Sequence, residues 1–230
     1  PAAMLFFLAY ELAIVPVARV ADIGSGTVIL TTLLAPRVAR VWAVEPNDEM
    51  RGAARRLLAD MGNIGWSHGS AEATGLPTGS VDLITVAQAF HWFDRAAFRQ
   101  ECQRLLRPGG RVALIWNDRL TDTPFLKAYE EGLHAYSGDY EEVNHRNLGE
   151  HDFNAFFEGE YRLDRFENRQ LFDLDGVLGR LNSSSYAPAV GTPAHEQMTA
   201  LIRREFGRHA VNDRISFNYC TLVYSGRVSA

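Results

Sequence analysis

The chain has almost no cysteine and almost no lysine. Cys102 and Cys220 are too few in 230 residues for a disulfide framework, and they lack metal-ligand spacing. They are expected as reduced, mostly buried thiols. Of 23 basic residues only Lys127 is a lysine, a bias that fits a GC-rich bacterial genome and carries no chemistry. Net positive charge is also missing. At -5 overall, the chain lacks the basic footprint that general nucleic-acid binding requires. Pairs such as Arg55-Arg56 and Arg203-Arg204 read as solvated helix faces. No apolar run reaches the roughly 18 residues of a membrane span. The opening Ala2-Ala3-Met4-Leu5-Phe6-Phe7-Leu8-Ala9 lacks the basic start of a signal peptide and runs straight into Tyr10-Glu11. It is expected to be an amphipathic first helix, in a chain that begins abruptly and is expected to lack its true N-terminus. These absences leave a globular protein expected in the cytoplasm, without a membrane or nucleic-acid partner.

What is present is an alternation of short β-rich runs and helical patterns, the signature of βαβ units around a parallel sheet. Strands are expected at 19–23, 38–44, 64–68, 81–86 and 111–116. Between them helices are expected at 27–34, 48–61 and 94–106, the last closed by the turn Arg107-Pro108-Gly109-Gly110. After Asn117 the rhythm changes. Residues 121 to 158 read as mainly helical, 161–172 as a strand, 175–181 and 195–209 as helices, and 215–224 as a closing strand. The expected fold is α/β: a doubly wound, mostly parallel seven-stranded sheet with an antiparallel last strand and a helical insertion after strand five. It is read as a single domain over 1-230, with a cofactor half at about 15-118 and a substrate half at about 119-230.

The first strand ends in Asp22-Ile23-Gly24-Ser25-Gly26-Thr27, a strand, glycine turn and helix start that lets a ligand approach backbone closely. Glu45 stands at the end of the next strand, 19 residues after Gly26, where a carboxylate can accept hydrogen bonds from ribose hydroxyls. These features alone fit a nicotinamide dinucleotide or S-adenosylmethionine. The third glycine of the dinucleotide fingerprint is replaced by Ile29, and Asp22 would oppose a pyrophosphate. S-adenosylmethionine has no phosphate and carries an ammonium, which favours it.

Val20 to Thr27 resembles the first motif of class I S-adenosylmethionine-dependent methyltransferases, and Trp42-Ala43-Val44-Glu45-Pro46 resembles the second. Gly69 to Pro77, with Ser80 to Ile84, is similar to the adenine-binding stretch and fourth strand. Leu105 to Arg111 resembles the turn before strand five. Through Ala87-Gln88-Ala89-Phe90-His91-Trp92-Phe93-Asp94 the chain resembles the small-molecule branch (methyltransferase type 11-like) near the trans-aconitate and quinone-biosynthesis methyltransferases. The resemblance implies the Rossmann-like fold and a Rossmann-like cofactor site. Asp22, Gly24, Ser25 and Gly26 would cradle the methionine portion and Glu45 the ribose. Ser70, Ala71 and Glu72 would meet the adenine, and Ala87 and Gln88 would line the methionine end. Family members usually carry a third glycine where Val28 stands. If that position needs positive φ, a β-branched residue there costs about 1–2 kcal/mol; if it is a first helical turn, Val28 is harmless but crowds the ligand.

Methyl transfer from a sulfonium requires positioning above all, and a base only if the acceptor must lose a proton. His91, just past the fourth strand, is the candidate base. Its alternatives are packing on Trp92 or capping the next helix, and Asp94 reads as an N-cap. Trp92, Asn117, Arg119 and Tyr186 are the candidate substrate contacts. Arg119 would meet a substrate carboxylate, or else form an exposed loop ion pair with Asp118 or Asp122. His134, His145 and His151, near Asp139 and Glu141, lack zinc spacing, so no metal is expected. The expected activity is S-adenosylmethionine-dependent methylation of a small molecule, giving S-adenosylhomocysteine. A catalytically silent relative of that fold, or a nicotinamide-dependent oxidoreductase, are the alternatives.

Overall fold

A computed structural model describes residues 2–12, 15–138, 140, 148–184 and 186–228. Helix α1 (Ala2–Glu11) precedes β1 (Arg19–Ile23), α2 (Ile29–Leu34), β2 (Arg40–Val44), α3 (Asp48–Leu57), β3 (Ile64–Ser67) and β4 (Val81–Ala87). Then come α4 (Arg95–Leu105), β5 (Leu106–Arg119), α5 (Pro124–Tyr136), α6 (Glu150–Phe157), β6 (Tyr161–Phe172), α7 (Leu174–Asn182), α8 (Pro193–His209) and β7 (Ile215–Gly226). The seven strands form one sheet in the order β3-β2-β1-β4-β5-β7-β6. Its first five members are parallel, and β5-β7-β6 are antiparallel. The expected doubly wound sheet is therefore present.

The chain forms two compact units, one of residues 1–116, 148–166 and 221–230, the other of 117–147 and 167–220. In the first unit, alternate residues of each strand point to opposite sides of the sheet, and each side has its own core. Val20, Val41, Ala43, Leu83, Ala113 and Ile115 pack on one side with Leu8 and Leu34. Ala21, Val44, Ile84, Val86, Leu114 and Trp116 pack on the other with Phe90, Phe98 and Phe156. In the second unit, Phe125, Leu126, Leu133, Val177, Met198, Ile202 and Phe217 form a third cluster. There Gly132 of α5 admits α8, because a Cβ on it would lie 2.4 Å from Leu201.

Helix ends follow local chemistry. Asn47 caps α3 by accepting from the Met50 N–H, with Asp48 and Glu49 in the first turn and Arg55 and Arg56 in the last. Helix α3 stops at Leu57, short of the expected 61, as Met61 turns back to bond the Leu58 carbonyl. The Pro108-Gly109-Gly110 segment differs more. The backbone is already extended at Leu106, which pairs with Val81, and pairing resumes at Arg111 opposite Leu83. Residues 107–110 are thus a bulge inside β5, with Gly109 at φ +83° supplying the turn.

Candidate functional site

The first unit gathers the predicted cofactor residues at the carboxyl ends of β1, β2 and β4. The N–H groups of Gly24 and Ser25 donate to the Val44 carbonyl at 2.9 and 3.1 Å, which pins the glycine loop to the end of β2. Glu45 completes the fastening. One carboxylate oxygen accepts from the Gly26 N–H and the other from the Asn47 N–H, each at 2.9 Å. Gly24 is at φ +68°, and a Cβ there would sit 2.7 Å from that of Ala89, so the position excludes every side chain. Gly26, at φ +52°, has no described atom within 4 Å of where a Cβ would stand. The backbone there faces open space beside a carboxylate. The Ser25 hydroxyl is buried with no hydrogen-bond partner among the described residues.

Val28 adopts φ 63° and ψ 26° and is fully buried. Of its two alternatives the structure takes the strained one. Gln88, directly after β4, is also left-handed at φ 60°, with its N–H held by the Ile115 carbonyl at 2.9 Å. Two non-glycine residues in this sparsely populated region, both beside the carboxyl ends of strands, mark backbone held by its surroundings rather than by preference.

Asp22 needs correcting as a ligand contact. It is 1% exposed, and its two oxygens accept the hydroxyl hydrogens of Thr31 at 2.6 Å and Thr85 at 3.0 Å. It stitches β1 to α2 and β4 from within the core. Burial raises its pKa to about 6, against the lowering effect of the two threonines. The geometry gives it no open face for an ammonium, so its part is to hold the loop from below.

Ser70, Ala71 and Glu72 lie on the segment between β3 and β4. Ser70 is half-buried, Ala71 packs into the core, and Glu72 accepts from the Asp94 N–H at 3.0 Å. Sequence reading missed what fixes this segment. Glu101 of α4 accepts from both the N–H and the hydroxyl of Thr74, at 2.9 and 2.5 Å, while Arg104 grips its two oxygens and the Leu76 carbonyl. Burial alone would raise the Glu101 pKa, but the bonds from Arg104 and Thr74 outweigh it and leave the group lowered. A separation of 27 residues leaves no local signal for such a pair.

Beyond Ala87 and Gln88, the His91 ring packs against that of Trp92 at 4.8 Å between centroids, while Trp92 is 60% exposed. Phe93 turns inward against Phe90 and Phe98. Asp94 caps α4, its carboxylate accepting from the N–H groups of Ala96 and Ala97.

Asn117, Arg119 and Tyr186 belong to the second unit. Asn117 accepts from the Asn168 side chain at 3.2 Å. Arg119 and Tyr186, distant in sequence, come within 3.5 Å of each other. Arg119 is not the loop residue expected: it ends β5, is 6% exposed, and is bound by Glu130 and by the Tyr140 hydroxyl at 3.1 Å, with its guanidinium over the Tyr129 ring. A substrate carboxylate would have to displace Glu130. Its geometry is that of a buried structural ion pair. Among the described residues no three of His, Cys, Asp and Glu gather as a metal site. Asp139, Glu141, His145 and Ser185 lie outside the described residues.

Residues 21–114, which include the loop, Glu45, β2, β3, β4 and most of β1 and β5, match the methyltransferase domain family. Over that stretch the chain is similar to methyltransferase domains. It is 46% identical over 101 residues to an uncharacterised methyltransferase of Mycobacterium tuberculosis, covering 44% of this chain and 40% of that protein. The match thus spans about two fifths of that relative's length. An uncharacterised methyltransferase of Schizosaccharomyces pombe is 26% identical over 219 residues, 94% of this chain and 85% of its own. Among solved structures, the YcgJ protein of Bacillus subtilis superposes with a TM-score of 0.62 at 20% identity, over 98% of this chain and 97% of that one. That likeness shows the fold alone. Among the described residues no helix is long and apolar enough to cross a membrane.

Proposed function

We propose that the domain binds S-adenosylmethionine and transfers its methyl group to a small molecule in the cytoplasm. The observation that carries this reading is the pairing of Gly26 with Glu45. The glycine's α-carbon faces open space, and the carboxylate beside it holds the loop through one N–H per oxygen. Each carboxylate oxygen has a further lone pair, enough for the two hydroxyls of a ribose. Gly24, Ser25 and Gly26 would border the methionine portion, with the partnerless Ser25 hydroxyl available to a polar group there. Ser70 and Ala71 would flank the adenine, with Glu72 acting through the start of α4. Ala87 and Gln88 would border the reacting end. When bound, the cofactor supplies an electrophilic methyl group on a sulfonium. The chain's part is then to orient the acceptor in line and to exclude water.

His91 is the candidate base, needed only for an acceptor that must shed a proton. Its ring is steadied by Trp92, whose exposed indole offers the acceptor an apolar wall. Within the second unit, Arg119 acts by fixing Tyr186 rather than by touching substrate.

Calorimetric titration with S-adenosylhomocysteine tests the cofactor claim. Saturable one-to-one binding is expected, with Glu45→Ala weakening it by at least about tenfold, the worth of one charged hydrogen bond. Absence of heat at millimolar ligand, from protein whose circular dichroism is intact, overturns the reading. Transfer of a labelled methyl group from S-adenosylmethionine to any acceptor separates an enzyme from a silent binding module.

A further inference from the structure

Two cavities of the first unit lie away from the proposed cofactor residues. A cavity of about 560 Å³ is lined by Arg19, Arg40, Trp42, Ser80 and Arg107. Arg19 opens β1 and Arg40 opens β2, so this cavity sits at the amino ends of the strands whose carboxyl ends carry the glycine loop and Glu45. Five residues of extended chain separate the two ends, roughly 15 Å.

Three arginines line the cavity and no acid does, in a chain whose net charge is -5. Asp82 is close by. It lines an adjoining cavity of about 460 Å³ that shares Arg107, and it accepts from Arg107 at 3.3 Å and from the Arg19 N–H at 2.8 Å. One carboxylate against three cations leaves an excess of positive charge.

The site is built rather than incidental. The Arg40 guanidinium lies 4.7 Å over the Trp42 ring. The indole is itself clamped, since a Cβ on Gly65 would fall 2.2 Å from it. Stacked in this way, Arg40 loses little freedom on binding a ligand. Its Nε is buried without a hydrogen-bond partner among the described residues, and so is the Ser80 hydroxyl on the same cavity. Two orphaned donors on residues of one cavity call for an acceptor.

We propose that this cavity binds a phosphorylated small molecule. Its phosphoryl oxygens accept from the Arg40 Nε–H, the Ser80 hydroxyl and the guanidiniums of Arg19 and Arg107. A carboxylate would bring one negative charge and two oxygens, too few for the donors present; a phosphoryl group brings about two charges and three acceptor oxygens. The volume suits a small organic ligand, larger than a bare ion.

Calorimetric titration with inorganic pyrophosphate, at ionic strength held constant with sodium chloride, tests this. Saturable one-to-one binding is expected. Arg40→Gln should weaken it by at least about tenfold, and Arg19→Gln, at an exposed position, several-fold. Arg203→Gln on α8 should leave it unchanged. Arg40→Lys, which keeps the charge but loses the Nε–H, should fall between wild type and Arg40→Gln. Binding that fails to saturate in the millimolar range, or that is the same in Arg40→Gln and Arg19→Gln as in wild type, overturns the proposal.

Discussion

Asp22 shows at the scale of one residue how a motif position can be read correctly and its role misread. The acid stands where the first methyltransferase motif puts one, yet its carboxylate is sealed in the core by Thr31 and Thr85. Because folding raises its pKa from 3.8 to about 6, the native state binds a proton more readily than the unfolded chain does. Stability from this group is therefore greatest below pH 4 and falls as pH rises to 6, by about 3 kcal/mol in all. Asp22→Asn, which cannot ionise, should lack this fall. Denaturant unfolding of both proteins from pH 4 to 7 should show the variant's advantage growing with pH and levelling off above about pH 6. A difference independent of pH would mean that Asp22 stays charged in the fold. Val28 makes a contrasting case. Its left-handed backbone costs about 1–2 kcal/mol, while its fully buried side chain returns a similar amount through packing against the core. The same isopropyl group that strains the loop also anchors α2, which is how a valine can occupy a position suited to glycine.

Among the elements, the segment between β3 and β4 depends on α4 for its shape. It has no regular structure of its own, so Glu101 and Arg104 supply the bonds that a sheet or helix would otherwise provide. Glu101→Ala strips Thr74 of a buried acceptor and leaves Arg104 without its carboxylate, and should cost about 2–4 kcal/mol. The Thr74 amide should then exchange its hydrogen with the freedom of an unprotected loop, and S-adenosylhomocysteine affinity should drop several-fold as Ser70 and Ala71 lose their fixed place. Unchanged exchange at Thr74 would show that the segment holds itself. This network also marks the limit of what was legible in the sequence. The glycine turn, the Asp94 cap and the alternation of strands and helices could be read because each rests on neighbours within a few residues or on hydrophobic period. Glu101 with Thr74, Asp22 with Thr85, and Arg119 with Tyr186 join residues 27, 63 and 67 positions apart, where only the fold decides proximity. The extended start of β5 was hidden for a different reason: Pro108-Gly109-Gly110 breaks a strand as well as a helix, and a bulge can absorb it.

At the scale of the whole molecule, the two units share strands. Strand β5 gives residues 106–116 to one and 117–119 to the other, and β6 and β7 are divided in the same way. Covalent continuity of this kind should couple their unfolding. All four tryptophans, Trp42, Trp66, Trp92 and Trp116, belong to the first unit, whereas the Arg119–Glu130 pair belongs to the second. Glu130→Gln leaves the Arg119 charge buried without its carboxylate, which should cost about 3–5 kcal/mol. If the shared strands make the chain one cooperative system, tryptophan fluorescence should report this loss in full, with its midpoint moving together with the far-ultraviolet circular dichroism. Replacing both partners, as Arg119→Met with Glu130→Leu, should recover most of the stability, since an apolar pair leaves no charge stranded. A fluorescence midpoint that stays at the wild-type value while the circular dichroism separates into two steps would show that the units melt independently. Glu130 would then stabilise only its own unit, and the strands common to both would carry no cooperativity.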